Sequence, residues 1–204
     1  MQNSFYTRYG KRIFDFTASL FGLIILSPFL LVVGILIYLS DGKPIFFKQR
    51  RIGKDFIPFD FIKFRTMVVN KEGFGPLVTQ GNDPRITPLG RFLRKSKIDE
   101  LPQLINVLKG EMSIVGPRPE VEKYVMMFKE EYKEILRVKP GITDYATIEF
   151  RDEEAILNQY RDVEEGYIKE ILPRKIELYK KYISEIGFLT DIKLILKTLL
   201  RIVK

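Results

Sequence analysis

The sequence contains no histidine and no cysteine among its 204 residues. A Ser-His-Asp triad, a cysteine nucleophile and an ordinary zinc site each need one of these residue types, so all three are excluded. Any chemistry must therefore use carboxylates, lysine, arginine, tyrosine or hydroxyl groups. A bound metal is expected to be a hard cation held by oxygen, and Mg²⁺ shared between carboxylates and a substrate phosphate fits best. The absence of cysteine also agrees with a reducing compartment.

Positive charge is in excess: 34 lysine and arginine residues against 26 acidic residues give a formal net charge of +8. Partners that carry phosphate, or an anionic membrane surface, are therefore expected. The charge alone does not separate lipid, nucleotide and nucleic acid. The length and the hydrophobic fraction of 46% are ordinary for one folded domain.

One long stretch without charge lies near the N-terminus, between Asp15 and Asp41. Residues 16–40 are apolar and numerous enough to form a transmembrane helix. A cleaved signal peptide is disfavoured, because no small-x-small cleavage site follows the apolar run. The segment is therefore predicted to be a membrane anchor.

Two features of this anchor favour a re-entrant hairpin over a single span. Pro28 removes a backbone donor and collides with the carbonyl of Ile24, so a helix break is predicted at Ser27 and Pro28, where the Ser27 hydroxyl can bond a freed carbonyl. Basic residues flank both ends, which favours the cytoplasmic side for each. Each arm of about 13 residues would rise about 20 Å, less than the roughly 30 Å hydrocarbon core. A helix-break-helix hairpin is preferred, and a kinked single span is the alternative.

The C-terminal segment is predicted to be a basic amphipathic helix. Lysine and arginine recur there at helical spacing among leucine and isoleucine, at Lys193, Lys197, Arg201 and Lys204. In a soluble protein such a helix would pack its apolar face on the core. Beside a membrane anchor, an interfacial position is favoured.

The rest of the sequence predicts an α+β fold that is predominantly α-helical. Residues 44–50 and 56–67 form a predicted β-hairpin, and the glycine- and proline-rich residues 70–86 a surface loop. Thr87 and Pro88 are typical of an N-cap and a first helical residue, and predict a helix to about Lys95. Further helices are predicted over residues 99–109, 121–135, 152–161 and 163–184.

Asp99 and Glu100 are the candidate catalytic carboxylates. Adjacent helical residues do not share a face, so the pair is expected to divide labour rather than act on one atom. A helix N-terminus would keep Asp99 ionised as a nucleophile and would favour a substrate phosphate nearby. A purely structural explanation is also open, because Ser96 and Asp99 have the spacing of a capping box.

Arg118 is the candidate oxyanion ligand, because Pro117 and Pro119 hold its backbone extended and reduce the entropy lost on binding. A rigid turn with a solvated arginine is the alternative. Further basic residues precede the Asp-Glu pair, and many of them can simply face water or anionic lipid. They are Lys63, Arg65, Arg91, Arg94 and Lys95.

Seven motifs, in this order along the chain, resemble the bacterial sugar transferase family, and specifically its monotopic phosphoglycosyl transferases of the minimal, PglC-like kind. The motifs are Ser27–Pro28, Phe47–Gly53, Lys63–Met67, Asp83–Thr87, Asp99–Leu104, Gly116–Pro119 and Lys139–Thr143. The resemblance runs from about Lys11 to Lys197. It implies a re-entrant membrane hairpin over residues 1–42 that is continuous with a cytoplasmic or interfacial catalytic region over 43–204.

The resemblance implies a two-step reaction through a covalent intermediate. Asp99 would attack the β-phosphate of a UDP-sugar, release UMP and form an aspartyl phospho-sugar, which polyprenol (undecaprenyl) phosphate then accepts. Glu100 matches the residue associated with Mg²⁺, Arg94 and Arg118 match phosphate-binding positions, and Arg151 matches an arginine linked to uridine. Lys63 joins this set on charge and motif position only.

The sequence departs from the commoner family pattern after Thr143, where residues 144–151 replace a run that usually contains Asn-Gly-Arg. Donor recognition is therefore the least transferable property. An amino- or deoxyamino-sugar donor is expected, with a plain hexose as the alternative.

The implied location is the cytoplasmic face of the bacterial inner membrane, at the first membrane step of exopolysaccharide or lipopolysaccharide assembly, with downstream glycosyltransferases as possible partners. A non-catalytic basic scaffold tethered to the bilayer is the competing function. Nucleic acid is not expected as a partner, because the sequence contains no reader motif.

Overall fold

The computed structural model describes residues 5–68 and 83–203, without the side chains of residues 202 and 203. Most of the described residues are helical, and the strands form two sheets of two strands each. The predominantly helical α+β class is therefore confirmed. The elements are α1 (Lys11–Asp41), β1 (Phe46–Ile52), β2 (Pro58–Phe64), α2 (Pro88–Lys95), α3 (Gln103–Lys109), β3 (Ser113–Val115), α4 (Glu122–Met127), α5 (Lys129–Ile135), β4 (Gly141–Thr143), α6 (Tyr145–Glu149), α7 (Glu153–Leu157), α8 (Val163–Gly166), α9 (Leu172–Glu185) and α10 (Phe188–Val203).

The anchor is one continuous helix, because a π-helical turn over Tyr6–Gly10 leads directly into α1. The combined helix over Tyr6–Asp41 is long and apolar enough to cross a membrane by length and composition. Pro28 lies inside it, and the Ser27 hydroxyl donates a 2.8 Å hydrogen bond to the Ile24 carbonyl, as predicted. The predicted break at these residues is not confirmed, because α1 runs through Pro28 as one helix.

Both halves of α1 pack on the remainder of the protein. In the first half, Arg12 donates to the carbonyls of Val107 and Leu108 at 2.7 and 2.9 Å, at the end of α3. In the second half, Val33 and Ile37 are buried in a cluster with residues of β2 and α2. A broad apolar surface of α1 stays exposed between and beside these contacts, including Phe21, Ile24, Ile25, Leu31, Val32 and Leu39.

The predicted hairpin is present: β1 and β2 pair antiparallel, with Phe46 opposite Phe64 and Ile52 opposite Pro58. The predicted cap of the next helix is also confirmed, because the Thr87 side chain accepts a 3.0 Å hydrogen bond from the Gly90 amide. Most of the loop predicted over residues 70–86 lies outside the described residues, which resume at residue 83.

The segment around Asp99 differs from the predicted helix over 99–109. Ile98–Glu100 forms a 3₁₀ turn, and α3 begins only at Gln103, so Asp99 precedes the helix and does not cap it. The Ser96 hydroxyl donates to the Phe92 carbonyl of α2 at 2.8 Å, which excludes the capping box as an explanation for Asp99. Lys97 adopts a left-handed backbone conformation with φ of 58°, and this turns the chain between α2 and the carboxylate pair.

Two further elements differ from the sequence prediction. The helix predicted over 121–135 is divided into α4 and α5 at Phe128, whose φ and ψ are −118° and 42°. The parallel pair of β3 and β4 was not predicted. At one end of this pair Gly116 and Gly141 approach so closely that a Cβ on Gly116 would lie 2.6 Å from the Lys139 carbonyl oxygen, which explains the glycines after Val115 and Pro140.

The predicted C-terminal helix α10 has one side on the core and one side exposed. Leu194 is fully buried, and Asp191 accepts a 2.8 Å hydrogen bond from the Tyr182 hydroxyl of α9. Leu189, Leu196, Leu199 and Leu200 are more than half exposed. The core-packed interpretation is therefore confirmed for one face of the helix, and the interfacial position of the other face stays a prediction. Lys204 lies outside the described residues.

Candidate active site

A cavity of about 400 Å³ lies between the hairpin, the Asp99 turn, α6, α7, α9 and α10. Five of the site residues predicted from sequence line it together, although they are far apart along the chain. They are Lys63, Arg94, Glu100, Arg118 and Arg151. Asp99 precedes Glu100 but is not among the described residues that line the cavity.

Glu100 is the centre of the charged groups in this cavity. Arg118 donates from its two terminal nitrogens to the two carboxylate oxygens, at 3.0 and 2.5 Å, and Lys63 donates to Oε1 at 3.0 Å. Burial opposes ionisation, but Arg118 and Lys63 together hold the pKa of the Glu100 carboxyl well below its usual range. The bidentate geometry on Arg118 is the strong form of an arginine-carboxylate pair.

Asp99 is only 4% exposed, and its Oδ1 has no hydrogen-bond partner within the described part of the chain. Burial raises the pKa of Asp99 to about 6, the negative charge of Glu100 adds to this effect, and Lys63 is the strongest opposing group. A buried carboxylate without a partner is costly in a purely structural role. The environment therefore suits a group that reacts or binds a ligand.

Phe61 is a site residue that the sequence did not reveal. Its buried ring lies below three cations, with Arg51, Lys63 and Arg118 at 5.7, 5.3 and 5.8 Å from the ring centroid. Each cation is attracted by the face of the ring, which favours their gathering despite mutual repulsion. The apolar residues of β2 are the only sequence signal for this position, and they do not distinguish Phe61 from an ordinary core residue.

Two of the predicted ligand-binding arginines are already paired within the protein. Arg94 forms an ion pair with Glu154 of α7, with its Nε 3.1 Å from Oε1 of the carboxylate. Arg151 donates to the backbone carbonyl of Arg201 at the end of α10. A substrate phosphate at Arg94 would have to displace Glu154.

A second charged network on the cavity wall was also not predicted. Tyr167 donates to Glu120 at 2.5 Å, Arg51 pairs with Glu120 at 3.2 Å, and Lys175 pairs with Glu153 at 2.5 Å. Lys175 also lies over the Tyr167 ring, 4.8 Å from its centroid. All five side chains line the same cavity as Glu100.

The residues around Asp99 fit a Mg²⁺ ion shared with phosphate rather than a cation site made by protein alone. No group of three or more acidic side chains suited to a metal occurs in the chain over 5–68 and 83–203. Mg²⁺ typically needs only one or two carboxylates when phosphate oxygens and water complete its shell. Asp99 Oδ1 and both amide atoms of the buried Gln103 have no partner among the described residues, so oxygen ligands are available beside Glu100.

This combination of a long apolar helix and a cationic cavity with adjacent carboxylates defines a class of proteins that act on phosphate-bearing substrates beside a membrane. The chain belongs to the bacterial sugar transferase family, because the family model described as "Bacterial sugar transferase" matches residues 6–204.

Three relatives represent the family. The uncharacterized sugar transferase EpsL of Bacillus subtilis (strain 168) is 38% identical over 192 residues, which cover 94% of this chain and 86% of EpsL. The UDP-glucose:undecaprenyl-phosphate glucose-1-phosphate transferase of Escherichia coli (strain K12) is 36% identical over 200 residues, or 94% of this chain and 39% of that protein. The UDP-N-acetylgalactosamine-undecaprenyl-phosphate N-acetylgalactosaminephosphotransferase of Aeromonas hydrophila is 41% identical over 143 residues, or 68% of this chain and 33% of that protein.

The chain therefore spans most of EpsL but well under half of the other two relatives.

Proposed function

We propose that this protein transfers a sugar-1-phosphate from a UDP-sugar to undecaprenyl phosphate and releases UMP. The observation that carries the proposal is the buried carboxylate of Asp99, whose Oδ1 has no hydrogen-bond partner among the described residues. Asp99 is adjacent to Glu100, which Lys63 and Arg118 hold at the cavity wall. The names of the Escherichia coli and Aeromonas hydrophila relatives describe this class of reaction for those proteins.

Asp99 acts as the nucleophile in the proposed chemistry. Its carboxylate oxygen forms a bond to the β-phosphorus of the UDP-sugar, the bond from that phosphorus to the bridging oxygen breaks, and UMP leaves with the electron pair. A phosphate oxygen of undecaprenyl phosphate then attacks the same phosphorus. The bond to Asp99 breaks, the carboxylate is restored, and the product is undecaprenyl diphospho-sugar.

The surrounding cations hold the phosphates and stabilise the charge that develops in both steps. Lys63 and Arg118 both contact Glu100, the residue next to the proposed nucleophile, and Arg94 becomes available when a substrate phosphate replaces the Glu154 carboxylate. Arg151, at the mouth formed with α10, is the proposed contact for the uridine nucleotide. Glu100 would hold Mg²⁺ together with phosphate oxygens once the substrate phosphates draw Arg118 and Lys63 away from its carboxylate, and the bound ion would neutralise charge on the diphosphate.

We propose further that α1 enters and leaves the membrane on the cytoplasmic side. The Arg12 end contacts α3, and the Asp41 end contacts the Arg65 side chain, which donates to the Asp41 carbonyl at 2.7 Å. A straight span would separate the two ends of the apolar segment by the roughly 30 Å hydrocarbon core, whereas both ends contact the rest of the same protein. A re-entrant arrangement keeps both contacts at one interface, with the exposed apolar surface of α1 in lipid.

Single cysteines can test this topology without background, because the natural chain has none. We expect Arg8→Cys and Lys48→Cys, both at exposed positions, to react with a membrane-impermeant maleimide from the same side of sealed inverted vesicles. The unmodified chain is the control for background labelling. Labelling of the two positions from opposite sides would establish a single span and contradict the proposal.

The release of UMP should depend on pH through Asp99, because only the ionised carboxylate attacks phosphorus. Since burial raises the pKa of Asp99 to about 6, the single-turnover rate should fall about tenfold per pH unit below about pH 6. Rates measured from pH 4.5 to 8 with a saturating donor would check this. A profile that is flat down to pH 4.5 would show that the nucleophile has an ordinary carboxyl pKa, or is another group.

The donor is proposed to be an amino- or deoxyamino-sugar nucleotide, with a plain hexose as the second candidate. One relative is named for an acetamido sugar and another for glucose, so both kinds occur among proteins similar to this one. The product would serve later glycosyltransferases of exopolysaccharide assembly, and two relatives from rhizobia are named as exopolysaccharide production proteins.

UMP release from a panel of UDP-sugars, with and without undecaprenyl phosphate and Mg²⁺, tests the enzyme against the scaffold alternative. We expect the protein to release UMP from one subset of donors and to form a lipid-linked product when undecaprenyl phosphate is present. A basic scaffold would instead bind anionic vesicles in a salt-sensitive way and release no UMP with any donor.

A further inference from the structure

One polar group on the cavity wall has no assigned role in the proposed reaction. Tyr179 of α9 lines the cavity and is fully buried, yet its hydroxyl has no hydrogen-bond partner in the described part of the chain. A buried hydroxyl without a partner is destabilising, and phenylalanine would fill the same space without this penalty. Because Tyr179 lines the cavity, a bound ligand can supply the missing partner.

Acidic residues of several segments surround Tyr179 and keep its hydroxyl protonated. Burial raises the pKa of Tyr179 well above its usual value, and the carboxylates of Asp144, Glu120 and Glu153 raise it further. The phenol therefore stays neutral and can both donate and accept a hydrogen bond. Tyr179 lines the same cavity as Arg118 and as Glu120 and Glu153 of the second charged network.

Asp144 provides a second acceptor in the same region. Its Oδ1 accepts a 2.7 Å hydrogen bond from the Thr147 amide, whereas its Oδ2 is buried and makes no hydrogen bond of normal geometry within the described residues. These residues belong to the stretch 144–151, where the sequence departs from the commoner family pattern. Asp144 itself is not among the described residues that line the cavity, but Thr147 of the same stretch is, and the Thr147 hydroxyl also has no hydrogen-bond partner among the described residues. The departure from the pattern therefore coincides with an unused polar atom at the cavity wall.

We propose that the Tyr179 hydroxyl hydrogen-bonds the sugar of the UDP-sugar and determines which donor is used. This inference rests on the proposed function. The sugar is joined through its anomeric oxygen to the β-phosphorus that Asp99 attacks, so it would occupy the cavity that Arg118 and Tyr179 both line. The neighbouring carboxylates disfavour a phosphate at this wall, whereas the hydroxyl and acetamido groups of a neutral sugar can donate to them.

The test compares Tyr179→Phe with Tyr132→Phe in the full-length protein. Tyr132 is an ideal control because its hydroxyl is also buried without a partner among the described residues, but Tyr132 does not line the cavity. Both variants should fold, since neither hydroxyl bonds a group in the part of the chain that the structure describes. Circular dichroism and thermal unfolding would verify this before activity is measured.

We expect Tyr179→Phe to lower kcat/KM about 10- to 100-fold for the preferred donor, because the variant loses the hydrogen bond by which the protein recognises the sugar. The ratio between UDP-sugars that differ at one sugar substituent should fall towards one. Tyr132→Phe should leave both quantities unchanged. Equal loss for every donor, or unchanged discrimination in Tyr179→Phe, would overturn the inference.

A binding measurement separates this inference from the proposed function. Titration calorimetry with UDP and with the preferred UDP-sugar should show that Tyr179→Phe weakens binding of the UDP-sugar but not of UDP. If the natural protein releases UMP and Tyr179→Phe binds both ligands like the natural protein, only the specificity role is wrong. If the natural protein binds no UDP-sugar, the proposed function and the inference are both wrong.

Discussion

Replacement of Asp99 by asparagine should reduce the rate of UMP release by a factor on the order of 10⁴ or more, in line with removal of a nucleophile from other enzymes. Asparagine keeps the size of the side chain but cannot form the phosphoryl ester. The natural protein, quenched with a productive donor, should carry the mass of one phospho-sugar on the peptide that contains Asp99. The variant should carry none.

The same substitution should stabilise the fold at neutral pH. Between its unfolded pKa of 3.8 and its folded pKa of about 6, Asp99 binds more protons in the folded state, so its contribution to stability falls as pH rises through this window. The shift corresponds to roughly 3 kcal/mol at most. Denaturant unfolding should therefore show Asp99→Asn to be more stable than the natural protein at pH 7.5, with the difference disappearing below about pH 4.

Asp60→Asn is a suitable control, because Asp60 lies on β2 with a largely exposed side chain and only a 3.4 Å contact to Arg50. It should change neither activity nor the pH dependence of stability. Loss of activity together with loss of stability in Asp99→Asn would point to a structural carboxylate. A phospho-sugar adduct on another residue would show that the nucleophile lies elsewhere.

Local chemistry explains which features could be predicted from the sequence. The hairpin follows from apolar strands around Gly53, and the start of α2 from Thr87 and Pro88, because each signal acts within a few residues. The hydrogen bond from Ser27 to Ile24 was predictable for the same reason. Lys63, Arg94, Glu100, Arg118 and Arg151 could be named from motifs, but their approach to one cavity depends on the tertiary fold.

The missed features depend on contacts between distant segments. Strands β3 and β4 have three residues each, too few to show an alternating pattern, and they pair because Gly116 and Gly141 permit a close approach. The network through Glu120, Tyr167 and Lys175 joins distant segments of the chain, and no sequence motif indicates that these residues meet. The start of α3 was misplaced because Pro102 suits a first helical turn, whereas the left-handed Lys97 inserts a 3₁₀ turn before it.

Replacement of Glu100 by glutamine should cause the largest loss of stability in the site. It leaves Lys63 and Arg118 without the carboxylate to which they donate at 3.0, 3.0 and 2.5 Å. Breaking a buried ion pair costs about 3–5 kcal/mol, because an uncompensated charge remains. UMP release should also fall about 100-fold or more, since the cations lose the geometry in which they meet phosphate.

The second substitution Arg118→Met tests this explanation, because it removes one of the two unpaired cations. The double variant should recover part of the free energy of unfolding lost in Glu100→Gln, but none of the activity. Since the pKa of Glu100 lies well below its usual value, its contribution to stability is present above the unfolded value of 4.5 and is lost as pH falls through the folded pKa. The difference in the free energy of unfolding between the natural protein and Glu100→Gln should therefore shrink in acid.

Glu165→Gln is the control, because it removes the exposed pair with Lys169. It should leave stability and activity unchanged within error. A destabilisation of Glu100→Gln no greater than that of this control would mean that Glu100 is not the counter-charge on which the cation cluster depends.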